Sequence, residues 1–136
     1  MSMTYVASGT ILVNRFVKSS GVGTVAQQST AGAMCLGVSQ EGGRAAPLPA
    51  NTADPVEAAQ SGESLNVILP GEGIDPMIVL GTGGATVGNE LQSDANGKAI
   101  VCSTDEKYVQ AIALETGTAG EAIRVRLVHY QKRVAA

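Results

Sequence analysis

The sequence predicts an all-β fold, a small β-barrel or β-sandwich of short strands joined by Gly-rich turns. Three observations predict it. Apolar and polar residues alternate with period two in several short runs. Turn signals recur between those runs. The chain can also be laid on itself as two similar halves, which points to an internal duplication.

The alternation is clearest in EAIRVRLVHY, where Ile123, Val125 and Leu127 face one way and Arg124 and Arg126 the other. SLNVILPG repeats it with Leu65, Val67 and Leu69. YVQAIALE, TILVNRFV and IDPMIVLG are further strand candidates. About eight or nine short strands are expected. Between them lie SSGVG, SQEGG, PGEG, GTGG, SDANG and ETGTAG. Asn96 and Gly97 form a strong hairpin signal, because both residue types tolerate positive φ.

The duplication has a definite register. Shifted by 74 positions, residues 16–41 fall on residues 90–115 without a gap. Ser19 then meets Ser93, Gly23 meets Gly97, Ser29 and Thr30 meet Ser103 and Thr104, and Glu41 meets Glu115. Further on the shift becomes 58: Gly62 and Glu63 meet Gly120 and Glu121, and Leu65, Val67 and Leu69 meet Ile123, Val125 and Leu127. The first copy therefore carries 16 extra residues, GRAAPLPANTADPVEA. Pro47, Pro49 and Pro55 forbid a strand ladder there, so residues 43–60 read as a long loop with room for a helical turn in PVEAAQ. The expected layout is an N-terminal arm at 1–8, one β domain at 9–130 with repeat-like halves near 16–69 and 90–127, and a tail at 131–136.

Composition narrows the function. The 136 residues suit one domain. They are 44% hydrophobic but only 3% aromatic, with no Trp, one Phe and three Tyr, so the core must be Val, Ile, Leu, Ala and Met. Such a core removes less apolar area from water per residue, and oligomerisation is expected to add burial. The formal net charge is −3, and Arg124, Arg126, Lys132 and Arg133 are the only basic cluster. They read as a solvated strand face and tail, so no nucleic-acid partner is expected. No apolar run approaches the ~20 residues of a membrane span, and the start of the chain lacks the pattern of a signal peptide. No membrane partner and a cytosol-like site of synthesis are therefore expected. Cys35 and Cys102 lack metal-site spacing and read as small buried hydrophobes, so no metal or other cofactor is expected.

Chemistry-bearing patterns are weak. Glu41 and Glu115 sit at equivalent strand ends, where accepting hydrogen bonds from a following turn explains both. A doubled Asp-Thr/Ser-Gly loop of the aspartic-protease kind is missing, since ETG occurs once. GEGID and GTGGATVG lack the Gly-Lys-Ser/Thr of a phosphate loop. His129 is the only imidazole; alternation puts it on the inward side of the last strand, without a named partner. The chain is expected not to be an enzyme and to have no catalytic residue.

The order SGTILVNRFVK, GVSQEG, GESLNVILPG, LQSDANGKAI, AIALETGTAGEAIRVRLV resembles the small capsid decoration, or cement, proteins of tailed bacteriophages. The resemblance covers about residues 9–129, and the order of the motifs is more specific than any one of them. It implies a β-rich structural virion protein, commonly a homotrimer, with a dimer also fitting. It implies the major capsid protein as partner and the outer capsid surface as location. It implies that the protein holds neighbouring capsid subunits together and stabilises the expanded shell. The long loop breaks the internal symmetry, and loops of that length in small domains are often functional. Arg44, Leu48, Pro49, Asn51 and Asp54 are therefore expected to contact a sister subunit or the shell, with Tyr5 and Val6 of the arm as a second contact. The alternative is a phage-surface ligand- or receptor-binding β module, although so few aromatics leave little platform for sugars.

Overall fold

The computed structural model of the chain describes residues 3–40, 57–71, 73–103 and 107–132. Among them are twelve strands and no helix. In chain order these are β1 (Met3–Ala7), β2 (Ile11–Leu12), β3 (Phe16–Gly21), β4 (Thr24–Gln27), β5 (Gly37–Ser39) and β6 (Glu57–Ala59). There follow β7 (Ser64–Ile68), β8 (Met77–Val79), β9 (Glu90–Ser93), β10 (Ala99–Val101), β11 (Tyr108–Ala113) and β12 (Ala122–Gln131). The all-β expectation holds.

Five strands close a barrel in the order β1-β4-β3-β5-β7. Neighbours run antiparallel except β1 and β4, which run parallel. Its interior holds Ala7, Val17, Val25, Leu65 and Val67. The small β2–β6 sheet adds Ile11 and Ala59 to the same cluster. Five more strands follow the order β10-β9-β11-β12-β8. Their outermost members, β8 and β10, meet only at a parallel bridge between Leu80 and Ala99.

The two units pair their strands in equivalent registers. Phe16 faces Val38 across β3 and β5, as Glu90 faces Ile112 across β9 and β11. Val17 pairs with Gln27 as Leu91 pairs with Val101. Ser39 pairs with Val67 as Ala113 pairs with Val125. The likeness extends to β1 and β8: Tyr5 faces Leu65, and Ile78 faces Ile123. The shared Gly-Glu also has a cause. Glu63 accepts from Gln60 N at 2.8 Å and Glu121 from Thr118 N at 2.7 Å, each carboxylate closing the turn before its strand.

The copies join asymmetrically. After β2 the chain turns at Asn14, whose φ of 60° is the only positive value outside glycine among the described residues. Ser39 of β5 holds this corner: its hydroxyl donates to Leu12 O at 2.7 Å and accepts from Arg15 N at 3.1 Å. Asn14 O then accepts from Val79 N of β8 at 3.1 Å, and Phe16 N donates to Gly97 O beside β10 at 2.7 Å. Residues 14–16 of the first unit thus bridge the seam of the second. Phe16 is fully buried and packs, with Val38 and Ile68, in one cluster with the interior of the second unit.

Several expectations change. Residues 3–7 are a barrel strand and not an arm, because β1 is hydrogen-bonded on both sides. TILVNRFV is two strands, β2 and β3, broken at the Asn14 corner. Within the expected long loop, Glu57–Ala59 form a strand against β2 in place of a helical turn. In the β9–β10 hairpin only Gly97 has positive φ, and Asp94 Oδ1 holds the turn by accepting from Asn96 N and Lys98 N.

Gly97 is where the seam is most sensitive. A Cβ there would lie 3.0 Å from Phe16 O and 3.2 Å from Arg15 Cβ, whereas one on Gly23, its counterpart, would meet nothing within 4 Å. Both have positive φ, so alanine strains both backbones by about 1–2 kcal/mol. Gly97→Ala is expected to destabilise by about 1 kcal/mol more than Gly23→Ala, because only it crowds the joint. Urea midpoints of the two variants measure the difference.

Candidate interaction surface

The predicted contact residues fall in two groups. Tyr5 is half-buried and packs on the first core, while Val6 is exposed on the outer face of β1. Arg44, Leu48, Pro49, Asn51 and Asp54 lie outside the described residues, as does Glu41. The structure therefore brings Tyr5 and Val6 to one strand on opposite faces, and of these two Val6 is the more exposed.

The chemical candidates resolve into structure. Glu115 Oε1 accepts from Arg124 N of β12 at 2.7 Å, so it ties two strands together across the sheet and does not close the following turn. His129 points outward, against the inward expectation. Val109 pairs with Tyr130 and Ala111 with Leu127, so β12 has one residue more than β11 between these pairs. This bulge reverses the alternation. His129 then stacks on Tyr108, with ring centroids 5.7 Å apart, and its Nδ1 lies 3.3 Å from Gln110 Oε1. Cys35 and Cys102 are both buried and unbridged, and burial pushes the Cys35 thiol up to about 11. A thiol so disposed is a poor nucleophile. An open cleft of about 400 Å³ beside it is lined by Lys18, Gln28, Thr30, Met34 and Cys35. Among the described residues, no group of His, Cys, Asp and Glu could hold a metal. No described helix is long and apolar enough to cross a membrane.

What remains is surface. At one end of the molecule Val6 and Val22 are exposed, Val22 completely, at the tip of the β3–β4 hairpin. Elsewhere Tyr130 is exposed beside Glu90, and Val101 is exposed on β10 where it pairs with Leu91. Glu90 is neutralised in place: Lys132 Nζ donates to one carboxylate oxygen and Tyr130 Oη to the other. These bonds, Lys132 first, hold the Glu90 carboxyl below its usual range. Desolvation and then the Glu90 bond push the Tyr130 phenol up to about 12. The cluster pins the end of β12 to β9. Alternation alone hides it, because the bulge is what carries Tyr130 to this side.

Its pH signature follows from linkage. A depressed carboxyl contributes stability that is complete above its unfolded value, 4.5, and is lost as pH falls through the lower folded value. The raised Tyr130 contributes below 10 and loses its share as pH rises to about 12. Wild type is therefore expected to lose its advantage over Glu90→Gln as pH falls below 4.5. It is expected to lose its advantage over Tyr130→Phe between pH 10 and about 12. Thermal midpoints across pH check both arms.

No family model and no curated protein matches the chain. Among solved structures, it is similar to the crystal structure of the head fiber gp8.5 N base of bacteriophage phi29, with a TM-score of 0.62 at 13% identity. The match covers 98% of each chain. The two proteins share a fold over their whole matched length.

Proposed function

We propose that this chain is a structural virion protein of a tailed bacteriophage, which binds the outer capsid surface and cements neighbouring major-capsid subunits in the expanded shell. The observation that carries the reading is the end-to-end fold similarity to a phage head fiber base. That neighbour agrees with the order of motifs from residue 9 to 129 that resembles phage decoration proteins. The surface supports it too: the structure displays exposed apolar side chains, Val6 and Val22 among them, beside hydrogen-bonded hairpins. Neither catalysis nor a cofactor has a part in this reading. The protein acts as a homo-oligomer, a trimer in the family it resembles, so that several weak contacts on one shell site add as avidity. Arg44, Leu48, Pro49, Asn51 and Asp54 are its proposed shell or subunit contacts, with Val6.

One observation favours a second reading: the similar structure is the base of a fiber. In that case the chain anchors a surface element and leaves the shell no stronger. Two measurements separate the readings. Co-sedimentation with expanded and unexpanded shells of the host phage is expected to show saturable binding that prefers expanded shells. The temperature at which expanded shells disrupt is expected to rise on binding; an unchanged temperature supports the anchor, and absence of binding contradicts both. Replacing residues 44–54 by a Gly/Ser segment of equal length leaves β6 in place, and is expected to weaken shell binding at least tenfold.

A further inference from the structure

We propose that one copy of this chain binds another head to tail, the tip of the β3–β4 hairpin of one seating on the ledge made by Glu90 and Val101 of the next. The inference rests on the oligomeric part of the reading above and names the contact.

The chain already contains one contact of this kind. The tip of the β9–β10 hairpin lies on the start of β3 in the first unit. Phe16 N donates to Gly97 O at 2.7 Å, and Gln27 Nε2 donates to Asn96 O at 2.8 Å. The tip residues are Asn96 and Gly97; the ledge residues are Arg15, Phe16 and Gln27. This contact joins two different surfaces, so filling it uses one tip and one ledge and leaves one of each. Shifted by 74 positions, the unused tip is Val22 and Gly23, and the unused ledge is Asn89, Glu90 and Val101.

The side chains at both unused surfaces, Val22 and Val101, are exposed and apolar, while Gly23 O, the counterpart of Gly97 O, already accepts from Val6 N. In the filled contact the Gln27 side chain donates to the backbone carbonyl of Asn96. The open one would pair Val22 with Val101, apolar with apolar. Val22 is 104% exposed and Val101 41% exposed. Val6 stands beside the tip, its N–H donating to Gly23 O at 3.0 Å, and Tyr130 stands beside the ledge. Both add exposed apolar surface, each 39% accessible. The charge of Glu90 does not oppose such a partner, since Lys132 and Tyr130 already meet it. The Val6–Gly23 bond also shuts the first barrel at the place where the second takes in residues 14–16. The contact between copies is therefore surface on surface, with no inserted segment. Contacts between unlike surfaces propagate, into a ring where the rotation closes and into an open filament where it does not.

The test is complementation by light scattering coupled to size exclusion. Wild type is expected to be oligomeric. Val22→Asp and Val101→Asp are each expected to be monomeric at the same concentration, with native circular dichroism. Mixed in equal amounts, they are expected to form a dimer, because one retains the ledge and the other the tip. If Val101→Asp does not fold, Val101→Ser takes its place. A monomeric wild type, a variant that stays fully oligomeric, or two monomeric variants that do not combine would each overturn the contact. Shell binding is measured on the same samples. A monomer that still binds shells removes this contact and leaves the virion reading standing, whereas an intact oligomer without shell binding does the reverse.

Discussion

The structure depends on one joint, the bridging of the gap between the outer strands of the second sheet by residues 14–16. Without them β8 and β10 share a single bridge between Leu80 and Ala99. With them the polar backbone of that gap is paired, Asn14 O with Val79 N and Gly97 O with Phe16 N. Buried backbone groups left unpaired are costly, so the second unit needs the first to complete it. The same residues place Phe16, the one phenylalanine of the chain, in the second unit's core. Burying such a side chain contributes about 2–3 kcal/mol, a large term for a core otherwise made of small aliphatics.

The joint explains why the copies have diverged. On the outer face of β3, β5 and β7 the first unit shows Phe16, Val38 and Ile68, all buried against the second. The counterparts in the second unit are Glu90, Ile112 and Arg126, and Arg126 faces Asp75 at 3.5 Å in solvent. Strand order and register are preserved while two of these three side chains change from apolar to charged and Val38 stays apolar as Ile112. The equivalent registers give both units one frame, and the burial of one face and the solvation of its counterpart distinguish their residues.

Much of the frame was legible in the sequence, because register follows the alternation of Val17, Leu65, Val67 and their counterparts Leu91, Ile123 and Val125. The shared Gly-Glu pairs marked the start of equivalent strands because their carboxylates close equivalent turns. The equivalence of β1 and β8 was hidden: MTYVA and PMIVL share little beyond Val6 and Val79, at a shift that differs by one from the rest. The Asn14 corner was hidden because a run of apolar residues around one Asn reads as a continuous strand. His129 was misplaced because a one-residue bulge in β12 leaves no trace in composition. Of the expected contact residues only Val6 lies exposed among those described. The Val22 tip had no signal of its own until the filled contact at Asn96 and Gly97 showed what such a tip does.

The joint ties the closed barrel to the five-stranded sheet through backbone hydrogen bonds and one shared core. Native-state hydrogen exchange at Val79 measures it most directly. If residues 14–16 complete the second sheet, the Val79 amide exchanges only through global unfolding, with the same free energy as the core amides of β7 and β11. Exchange of Val79 through a local opening far below the global stability, while the first barrel stays protected, would contradict the account.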